Sequence, residues 1–289
     1  MDDFLLILNV DFMDVFIYRK GALGDTVSFI PLLFQLRNFY KKVYFAGNYL
    51  YRDLFQDIDF LEFLDADSKD VFDCLNGNIP VCLKSVSKFF IFSNHIGCEY
   101  KNFFYYSPIQ NHTWFYKYPF DCLNLNLSET QIFLPVNNYE DIRGFIDKNL
   151  LLIHPGSGGK KKVWPLEFFF EFEELISRRG VKCLYLLGES EEKLIERMKG
   201  KFFLYNLPLK KVCFLLTYAV TYLGCDSGIS HLAGIMNVRG VALFGPSSEK
   251  IYKPWGNIKV LKSKDGNILS IHPVEVVNFY EKEGFFENR

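Results

Sequence analysis

The sequence predicts an α/β protein whose parallel strands carry helices on both faces. From residue 150 onward, short apolar runs alternate with segments of helical length, which is the rhythm of successive βα units. The apolar runs lack a regular polar alternation, as expected of strands that are buried on both faces. Glycine-containing or polar turns follow several of these runs, and the carboxyl ends of parallel strands are where such sheets bind ligands.

Composition limits the class of protein. The chain has 289 residues, 49% of them hydrophobic and 31 of them Phe, so it is long enough to bury one large or two medium cores. A formal net charge of −1 argues against a nucleic-acid partner bound through global positive charge. The seven cysteines are odd in number and include no CxxC pair, which argues against a disulfide framework or a zinc site and fits a reducing cytosol.

The hydropathy of the sequence indicates whether the chain contains a transmembrane helix or begins with a signal peptide. No apolar run reaches the ~20 residues that a transmembrane helix needs. Residues 1–12 contain an apolar patch with acidic flanks and no cleavage pattern, so they are not predicted to be a signal peptide. They are predicted to be an extension outside the fold or an added edge element.

The first half begins with a buried strand at Asp14–Arg19, a glycine-containing turn and a helix from about Thr26. Pro31 lies near the start of that helix, where it is expected to bend the helix and not to break it. The later elements predicted in this half are strands at Val43–Ala46, Phe60–Leu64, Ile79–Leu83, Lys88–Phe92 and Phe103–Tyr106, and helical segments at Tyr49–Phe55 and Trp114–Leu125.

A boundary is predicted between Pro135 and Asn149, where Pro and Asn interrupt the periodicity. The predicted division is residues 1–140, residues 141–270 and a C-terminal segment 271–289. The second half is predicted to contain strands at Leu150–His154, Lys182–Leu187, Phe202–Tyr205, Val220–Leu223, Gly240–Phe244 and Ile258–Leu261, and helices at Pro165–Arg179, Glu191–Lys199, Leu209–Tyr218, Ile229–Met236 and Pro273–Lys282.

The stretch Leu223–Pro246 predicts a strand, a polar turn, a helix and a second strand. Asp226, Ser227 and Gly228 are suited to cap the helix, whose first N–H groups have no partner within the helix. A helix start at the carboxyl end of a parallel strand is an anion site. An ordinary βαβ crossover with Asp226 as cap explains the stretch equally well.

A second motif, RKGALGDT at Arg19–Thr26, joins the first strand to the first helix. Asp25 at the helix entrance is a candidate base for an incoming hydroxyl group. Helix capping is the commoner role for such an Asp, and both interpretations stay open. The motif is not a dinucleotide fingerprint, because GxGxxG is absent.

The third motif is HPGSGGKKKVWP at His154–Pro165. Ser157, Gly158 and Gly159 are suited to form a backbone nest for a phosphate, with Lys160–Lys162 supplying positive charge. It is not a Walker A loop. The alternative is a surface loop before a solvated basic run, but the position after a strand favours the functional interpretation.

The fourth motif is LGESEEK at Leu187–Lys193. An acid after a strand end can bind ribose hydroxyls, although acids are also common at helix starts because of the helix dipole. From the residues alone the second explanation is favoured. A Ser-His-Asp triad is not predicted, since Asp226, Ser227, Ser230 and His231 lie within one turn and helix, and His231 has no partner His for a metal.

In this order the four motifs resemble glycosyltransferase family 9, the ADP-heptose:lipopolysaccharide heptosyltransferases and their relatives. The resemblance implies GT-B architecture, with two Rossmann-like domains facing across a cleft and a last helix that crosses back to the N-terminal domain. It also implies an inverting, metal-independent transfer from a nucleotide sugar. Residues 1–140 would be the acceptor-side domain and residues 141–270 the donor-binding domain.

The resemblance also implies roles for single residues. Asp25 matches the catalytic base. The residues implied to bind the donor are Ser157, Gly158, Lys162, Glu191 or Glu192, Asp226, Ser227, Gly228 and His231. Cys225 departs from the family, which more often has a polar residue there.

The expected function is therefore transfer of a sugar, heptose from ADP-heptose, to a lipopolysaccharide core or related lipid-linked glycan. No metal and no cofactor beyond this co-substrate are expected. The expected location is cytoplasmic, with peripheral contact at the inner face of the membrane left open. The alternatives are a nucleotide-sugar-binding protein that has lost catalysis and a sugar-nucleotide epimerase with GT-B architecture.

Overall fold

The computed structural model describes residues 13–94, 100–108, 113–127 and 132–286. The chain divides into two compact units, Met1–Pro135 and Val136–Arg289. The prediction for residues 1–12 lies outside the described residues. Within the described ranges, no helix is both long and apolar enough to cross a membrane.

The first unit contains a five-stranded parallel sheet in the order β3-β2-β1-β4-β5. Its strands are β1 (Asp14–Tyr18), β2 (Val43–Gly47), β3 (Leu61–Asp65), β4 (Val86–Phe92) and β5 (Phe103–Tyr106). Its helices are α1 (Leu23–Leu36), α2 (Lys69–Leu75) and α3 (Tyr118–Cys122), with 3₁₀ turns at Tyr49–Phe55 and Val81–Leu83.

Three features of the first unit differ from the sequence prediction, and the first is the predicted helical segment Trp114–Leu125, which is α-helical only over Tyr118–Cys122. The predicted strand Ile79–Leu83 is wrong: Pro80 precedes a 3₁₀ turn, and Val81 is 79% exposed, so this apolar run is a connection and not a buried strand. Proline also lacks the N–H that a central strand requires. The unpredicted helix α2 begins after Ser68, whose hydroxyl oxygen accepts a hydrogen bond from the Val71 N–H.

The second unit contains a six-stranded parallel sheet in the order β11-β10-β9-β6-β7-β8. Its strands are β6 (Leu150–His154), β7 (Lys182–Leu187), β8 (Phe203–Tyr205), β9 (Thr221–Cys225), β10 (Gly240–Phe244) and β11 (Ile258–Lys262). Its helices are α4 (Glu140–Arg143), α5 (Leu166–Ile176), α6 (Leu209–Tyr218), α7 (Gly228–Ile235), α8 (Glu249–Tyr252) and α9 (Pro273–Lys282). The predicted α-helix Glu191–Lys199 is instead a 3₁₀ segment, Glu189–Met198.

The order of the strands locates a switch point in each sheet. β1 lies between β2 and β4, and β6 lies between β7 and β9, so the chain runs outward in opposite directions from each of these strands. Open α/β sheets bind ligands at the carboxyl ends of the strands at such a point. The motifs Arg19–Thr26, His154–Pro165 and Asp226–Gly228 all follow strands at the two switch points.

Helix α9 packs on α5 in the core of the second unit. Tyr280 is fully buried and donates a hydrogen bond from its hydroxyl to the Tyr222 carbonyl at 2.5 Å. Its ring also contacts Phe172 of α5, with 5.4 Å between ring centroids. A crossing of the C-terminal segment to the first unit stays a prediction.

Candidate functional site

In the first unit, Asp25 occupies the third position of α1. Its Oδ2 accepts a hydrogen bond from the Ala22 N–H at 2.9 Å, and its Oδ1 pairs with the guanidinium of Arg19. The side chain is 22% exposed. A carboxylate offers about four lone-pair positions, so Asp25 can cap α1 and still accept a proton. The geometry is compatible with both roles.

Arg19 and Gly21 shape this loop. Arg19 is 5% exposed and lies directly after β1, so its guanidinium approaches Asp25 from the protein interior. A Cβ at Gly21 would lie 2.6 Å from the Asp25 Cβ, so only glycine allows this close approach. Reasoning from the sequence missed Arg19, although an arginine that ends an apolar strand shortly before an Asp is a usable signal.

In the second unit, Ser157, Lys162 and Asp226 come together. The Ser157 hydroxyl donates to the Asp226 carbonyl at 2.5 Å, and Lys162 Nζ lies 2.8 Å from Asp226 Oδ2. Asp226 is 7% exposed. Lys160 and Lys161 are exposed, so only the third lysine of the basic run turns toward the loop after β9.

Ser227 caps α7, so the alternative interpretation with Asp226 as the cap is wrong. Its Oγ accepts a hydrogen bond from the Ser230 N–H at 3.4 Å, and Gly228 is the first residue of the helix. His231 is 4% exposed, inside the first turn. The helix therefore begins at the carboxyl end of β9 with a hydroxyl cap, the arrangement in which N–H groups and the helix dipole favour an anion.

The adjacent residues Glu191 and Glu192 differ in burial. Glu191 is 8% exposed and accepts a hydrogen bond from the Gly188 N–H at 2.9 Å, whereas Glu192 is exposed. Burial raises the pKa of Glu191, and the Gly188 N–H partly offsets this shift. A Cβ at Gly156 would lie 2.2 Å from Glu191 Oε1. The glycine after His154-Pro155 therefore leaves room for this carboxylate.

His154 joins these groups and was not singled out in the sequence. Its Nδ1 lies 3.3 Å from Ser227 Oγ, and its Nε2 lies 3.8 Å from Glu191 Oε2. The residue is 8% exposed, and burial lowers its pKa to about 4. The sequence contains a signal that could have identified His154, because this residue is the polar last residue of an apolar strand and precedes a glycine-rich loop.

Cys225 has a structural role. Its Sγ accepts a hydrogen bond from the Trp164 N–H at 3.3 Å, and burial raises the pKa of the thiol to about 12. The cysteine thus holds the segment after the basic run against the end of β9. A protonated, buried thiol is chemically inert.

The predicted donor-side residues do not all meet. Ser157 and Lys162 contact Asp226, and the next residue, Ser227, lies with Glu191 beside His154, so these residues form one array. Glu192 stays outside it, and a Cβ at exposed Gly158 would meet no atom of the described residues within 4 Å. In the part of the chain that the structure describes, no group of three His, Cys, Asp or Glu side chains is placed to hold a metal ion.

The fold is similar to that of solved glycosyltransferases. A glycosyltransferase family 9 structure from Veillonella parvula matches with a TM-score of 0.78 at 15% identity, covering 97% of this chain and 99% of that one. The E. coli heptosyltransferase WaaC with ADP matches with a TM-score of 0.72 at 14% identity, covering 93% and 99%. The predicted α/β, GT-B fold class is therefore confirmed.

Sequence comparison reaches the same group. A lipooligosaccharide heptosyltransferase 2 from Campylobacter jejuni is 25% identical over 120 residues, which are 38% of this chain and 38% of that protein. The chain thus aligns with well under half the length of this curated relative. The family model of glycosyltransferase family 9 (heptosyltransferase) matches residues 110–268, which is more than half of the chain. The chain therefore belongs to glycosyltransferase family 9, the heptosyltransferase family.

Proposed function

We propose that this protein is an inverting, metal-independent glycosyltransferase that moves heptose from ADP-heptose to a lipopolysaccharide core or related glycan. Family membership supports sugar transfer as the reaction. The observation that carries the donor assignment is the array in the second unit, where Lys162, Ser157 and the start of α7 meet at the sheet's switch point.

The array suits a nucleoside diphosphate as leaving group. When the bond to the sugar breaks, negative charge develops on the diphosphate, and fixed positive groups stabilise it. Lys162 Nζ supplies positive charge that its ion pair with Asp226 holds in place, and the N–H groups at the start of α7 supply partial charge along the helix dipole. Together they would take the role that a metal ion plays elsewhere.

Glu191 is the proposed ribose ligand, and Glu192 is not. A carboxylate shortly after a strand end can accept hydrogen bonds from ribose hydroxyls. Glu191 turns inward beside Gly156, whereas Glu192 is exposed. Glu191 is buried and accepts a hydrogen bond from the Gly188 N–H, and a carboxylate has lone pairs enough to accept from ribose hydroxyl groups as well.

Asp25 is the proposed base, positioned by Arg19. The acceptor hydroxyl oxygen forms a bond to the anomeric carbon, while the bond from that carbon to the diphosphate oxygen breaks and its electron pair leaves with the diphosphate. The hydroxyl proton passes to a carboxylate oxygen of Asp25. The Ala22 N–H and the Arg19 guanidinium would hold the carboxylate in one orientation.

A lipid-linked glycan is the proposed acceptor, with the enzyme working in the cytoplasm or against the inner face of the membrane. Support comes from the relatives in Campylobacter jejuni, which are named as lipooligosaccharide heptosyltransferases. The nucleotide sugar acts as a co-substrate, and no further cofactor is proposed.

Nucleotide binding and turnover test this proposal together. Thermal unfolding is measured with ADP, UDP and GDP and their sugars, because a ligand that binds the folded state raises the unfolding midpoint. ADP and ADP-heptose should give the largest upward shifts. Asp25→Asn should keep these shifts and lower heptose transfer by about a hundredfold or more, the usual size of general-base catalysis.

Each part of the proposal can fail separately. A preference for UDP or GDP would refute ADP-heptose as donor. Transfer by Asp25→Asn at the wild-type rate would refute Asp25 as base. Conversion of a nucleotide sugar without any acceptor would indicate an epimerase, and nucleotide binding with no turnover on any acceptor would indicate a binding protein.

A further inference from the structure

His154 connects three segments that are distant in the chain. It is the last residue of β6, and its ring lies between Ser227, at the start of α7, and Glu191, in the 3₁₀ segment after β7. Each of these two partners belongs to a different part of the proposed nucleotide site. The imidazole is the group that touches both.

The hydrogen bonds around Ser227 show how its hydroxyl is used. The Ser230 hydroxyl donates to the Cys225 carbonyl at 2.6 Å, so its single hydrogen is engaged. Ser230 Oγ then accepts from the Tyr222 hydroxyl at 3.0 Å. Ser227 Oγ itself accepts from the Ser230 N–H. The Ser227 hydrogen has two acceptors within reach, His154 Nδ1 at 3.3 Å and Ser230 Oγ at 3.4 Å, and the first is the nearer.

This arrangement favours one tautomer of His154. Burial lowers the pKa of the imidazole to about 4, so near pH 7 the ring carries one N–H. The tautomer with its hydrogen on Nε2 suits both neighbours, because Nε2–H then faces the Glu191 carboxylate and Nδ1 accepts from Ser227. The 3.8 Å separation from Glu191 Oε2 exceeds a hydrogen bond, but such contacts often tighten in the ligand complex.

Glu191 has a restricted position beside the ring. Its carboxylate is held by the Gly188 N–H on one side and fills the space over Gly156 on the other. A small movement toward Nε2 would close the gap without breaking the bond to Gly188, because each carboxylate oxygen has two lone pairs. The imidazole is thus placed to set the orientation of this carboxylate.

We propose that His154 is a positioning residue that couples Ser227 at the start of α7 to the Glu191 carboxylate, so that the diphosphate and ribose contacts share one geometry. The inference rests on the proposed function, because it takes the ligand to be a nucleotide. It predicts that a change at the helix end alters ribose recognition, although Ser227 itself lies on the diphosphate side.

Calorimetric titration of the full chain with ADP and with 2′-deoxy-ADP tests this coupling, and the ratio of the two dissociation constants measures ribose recognition. The wild-type protein should prefer ADP by about tenfold, which corresponds to about 1.4 kcal/mol. Ser227→Ala should weaken ADP binding and also lower this preference to about threefold or less. A variant that lost only a diphosphate contact would weaken both ligands equally and keep the preference.

Two substitutions of His154 test the roles of its two ring nitrogens one at a time. His154→Gln keeps an amide near the position of Nε2 but loses the contact of Nδ1 with Ser227, so it should lower the preference for ADP to the same extent as Ser227→Ala. His154→Asn keeps an amide near the position of Nδ1 and should lose most of the preference, as should Glu191→Gln. The double variant His154→Asn with Glu191→Gln should lose no more than either single variant, because coupled residues are not additive.

Two controls exclude a merely structural effect. Ile153→Val removes one buried methyl group from the same strand, and His272→Asn changes an exposed histidine of the second unit. Both should keep the wild-type ratio. The proposal is overturned if Ser227→Ala and His154→Asn keep the wild-type ratio, or if Ile153→Val lowers it as much as they do. If the coupling proposal is overturned but the wild-type protein binds ADP, the proposed function still holds. If the wild-type protein binds none of ADP, UDP and GDP, the coupling proposal and the proposed function are both refuted.

Discussion

At the scale of single residues, three identical lysines have different surroundings. Lys160 and Lys161 are exposed, whereas Lys162 is half-buried and lies 2.8 Å from Asp226 Oδ2. Its ammonium also lies 5.8 Å from the centre of the Tyr252 ring. The positive charge of Lys162 is therefore fixed near the start of α7, and a solvated lysine would offer no such preorganised charge.

Lys162→Met should weaken nucleoside diphosphate binding by about tenfold or more, since a charge-assisted contact to phosphate is worth about 1.5–3 kcal/mol. Methionine keeps an unbranched stem of similar length, so the loss reports the charge. Lys160→Met is the matched control and should change the dissociation constant by less than about twofold. Equal small effects in both variants, measured by calorimetry with ADP, would indicate that the lysines of this run are solvated surface residues with no role in ADP binding.

At the scale of elements, the loop after β6 and the 3₁₀ segment after β7 are fitted to each other. Gly156 and Glu191 make the contact, and a side chain at position 156 would occupy the space of the carboxylate. Because the obstacle is the far end of a flexible side chain, a larger residue would displace Glu191 and leave the backbone of both elements in place.

Gly156→Ala should therefore weaken ADP binding by about fivefold to tenfold, the cost of one lost hydrogen bond of about 1 kcal/mol, and should barely change the thermal unfolding midpoint. Gly144→Ala is the control, because a Cβ there would meet no atom of the described residues within 4 Å. A large drop in the midpoint without any change in ADP affinity would contradict the expected displacement. The same panel can include 2′-deoxy-ADP, whose binding should change less.

At the scale of the whole molecule, each sheet places its own motif at a switch point, and the buried polar array belongs to the second unit. His154 is nearly inaccessible there, and burial lowers its pKa from 6.5 to about 4. Glu191 beside it has a raised pKa from burial. These two shifts act on folding stability with opposite signs.

The sign for His154 follows from its protonation in the two states. Between pH 6.5 and about 4 the unfolded chain binds a proton at this histidine and the folded chain does not, so the free energy of unfolding falls as the pH falls. The full effect is about 3 kcal/mol. Glu191 works in reverse, since its folded form keeps its proton to higher pH than the unfolded form does.

Denaturant unfolding between pH 4 and 7 should therefore show a smaller loss of stability for His154→Asn than for the wild-type protein. Glu191→Gln should show a larger loss than the wild-type protein, because it removes the opposing contribution. His272→Asn, at an exposed position, should follow the wild-type curve. Parallel curves for His154→Asn and the wild-type protein would mean that the imidazole takes up its proton in the folded state near its ordinary pKa.

Local patterns predicted much of the fold. The strands Leu150–His154, Lys182–Leu187 and Gly240–Phe244 lie where their apolar runs begin and end, because a strand buried on both faces needs an uninterrupted apolar sequence. The same signal failed at Ile79–Leu83, where an apolar run next to Pro80 forms a connection that buries Leu83 and exposes Val81. Composition alone does not distinguish the two cases, since burial depends on neighbouring segments.

Only those parts of the candidate site that depend on residues close together in the chain were predicted from the sequence. The capping role of Ser227 and the glycine-rich loop before Lys162 depend on residues that are close in the chain, so their positions were readable in the sequence. The role of His154 was not, because its partners Ser227 and Glu191 lie on other segments and meet it only through the order of β7, β6 and β9.

Chain-local chemistry was enough to predict two series of βα units and the turns that follow their strands, and the order of the four motifs carried the resemblance to the family. Tertiary structure alone separated Glu191 from Glu192, whereas the family resemblance had already singled out Lys162 from Lys160 and the fold supplied the physical reason. In each pair the residues have the same charge and nearly the same place in the chain, and they differ in whether the fold removes them from water. Desolvation and the partners that compensate for it depend on which strands lie side by side, and neighbouring residues in the sequence do not contain that information.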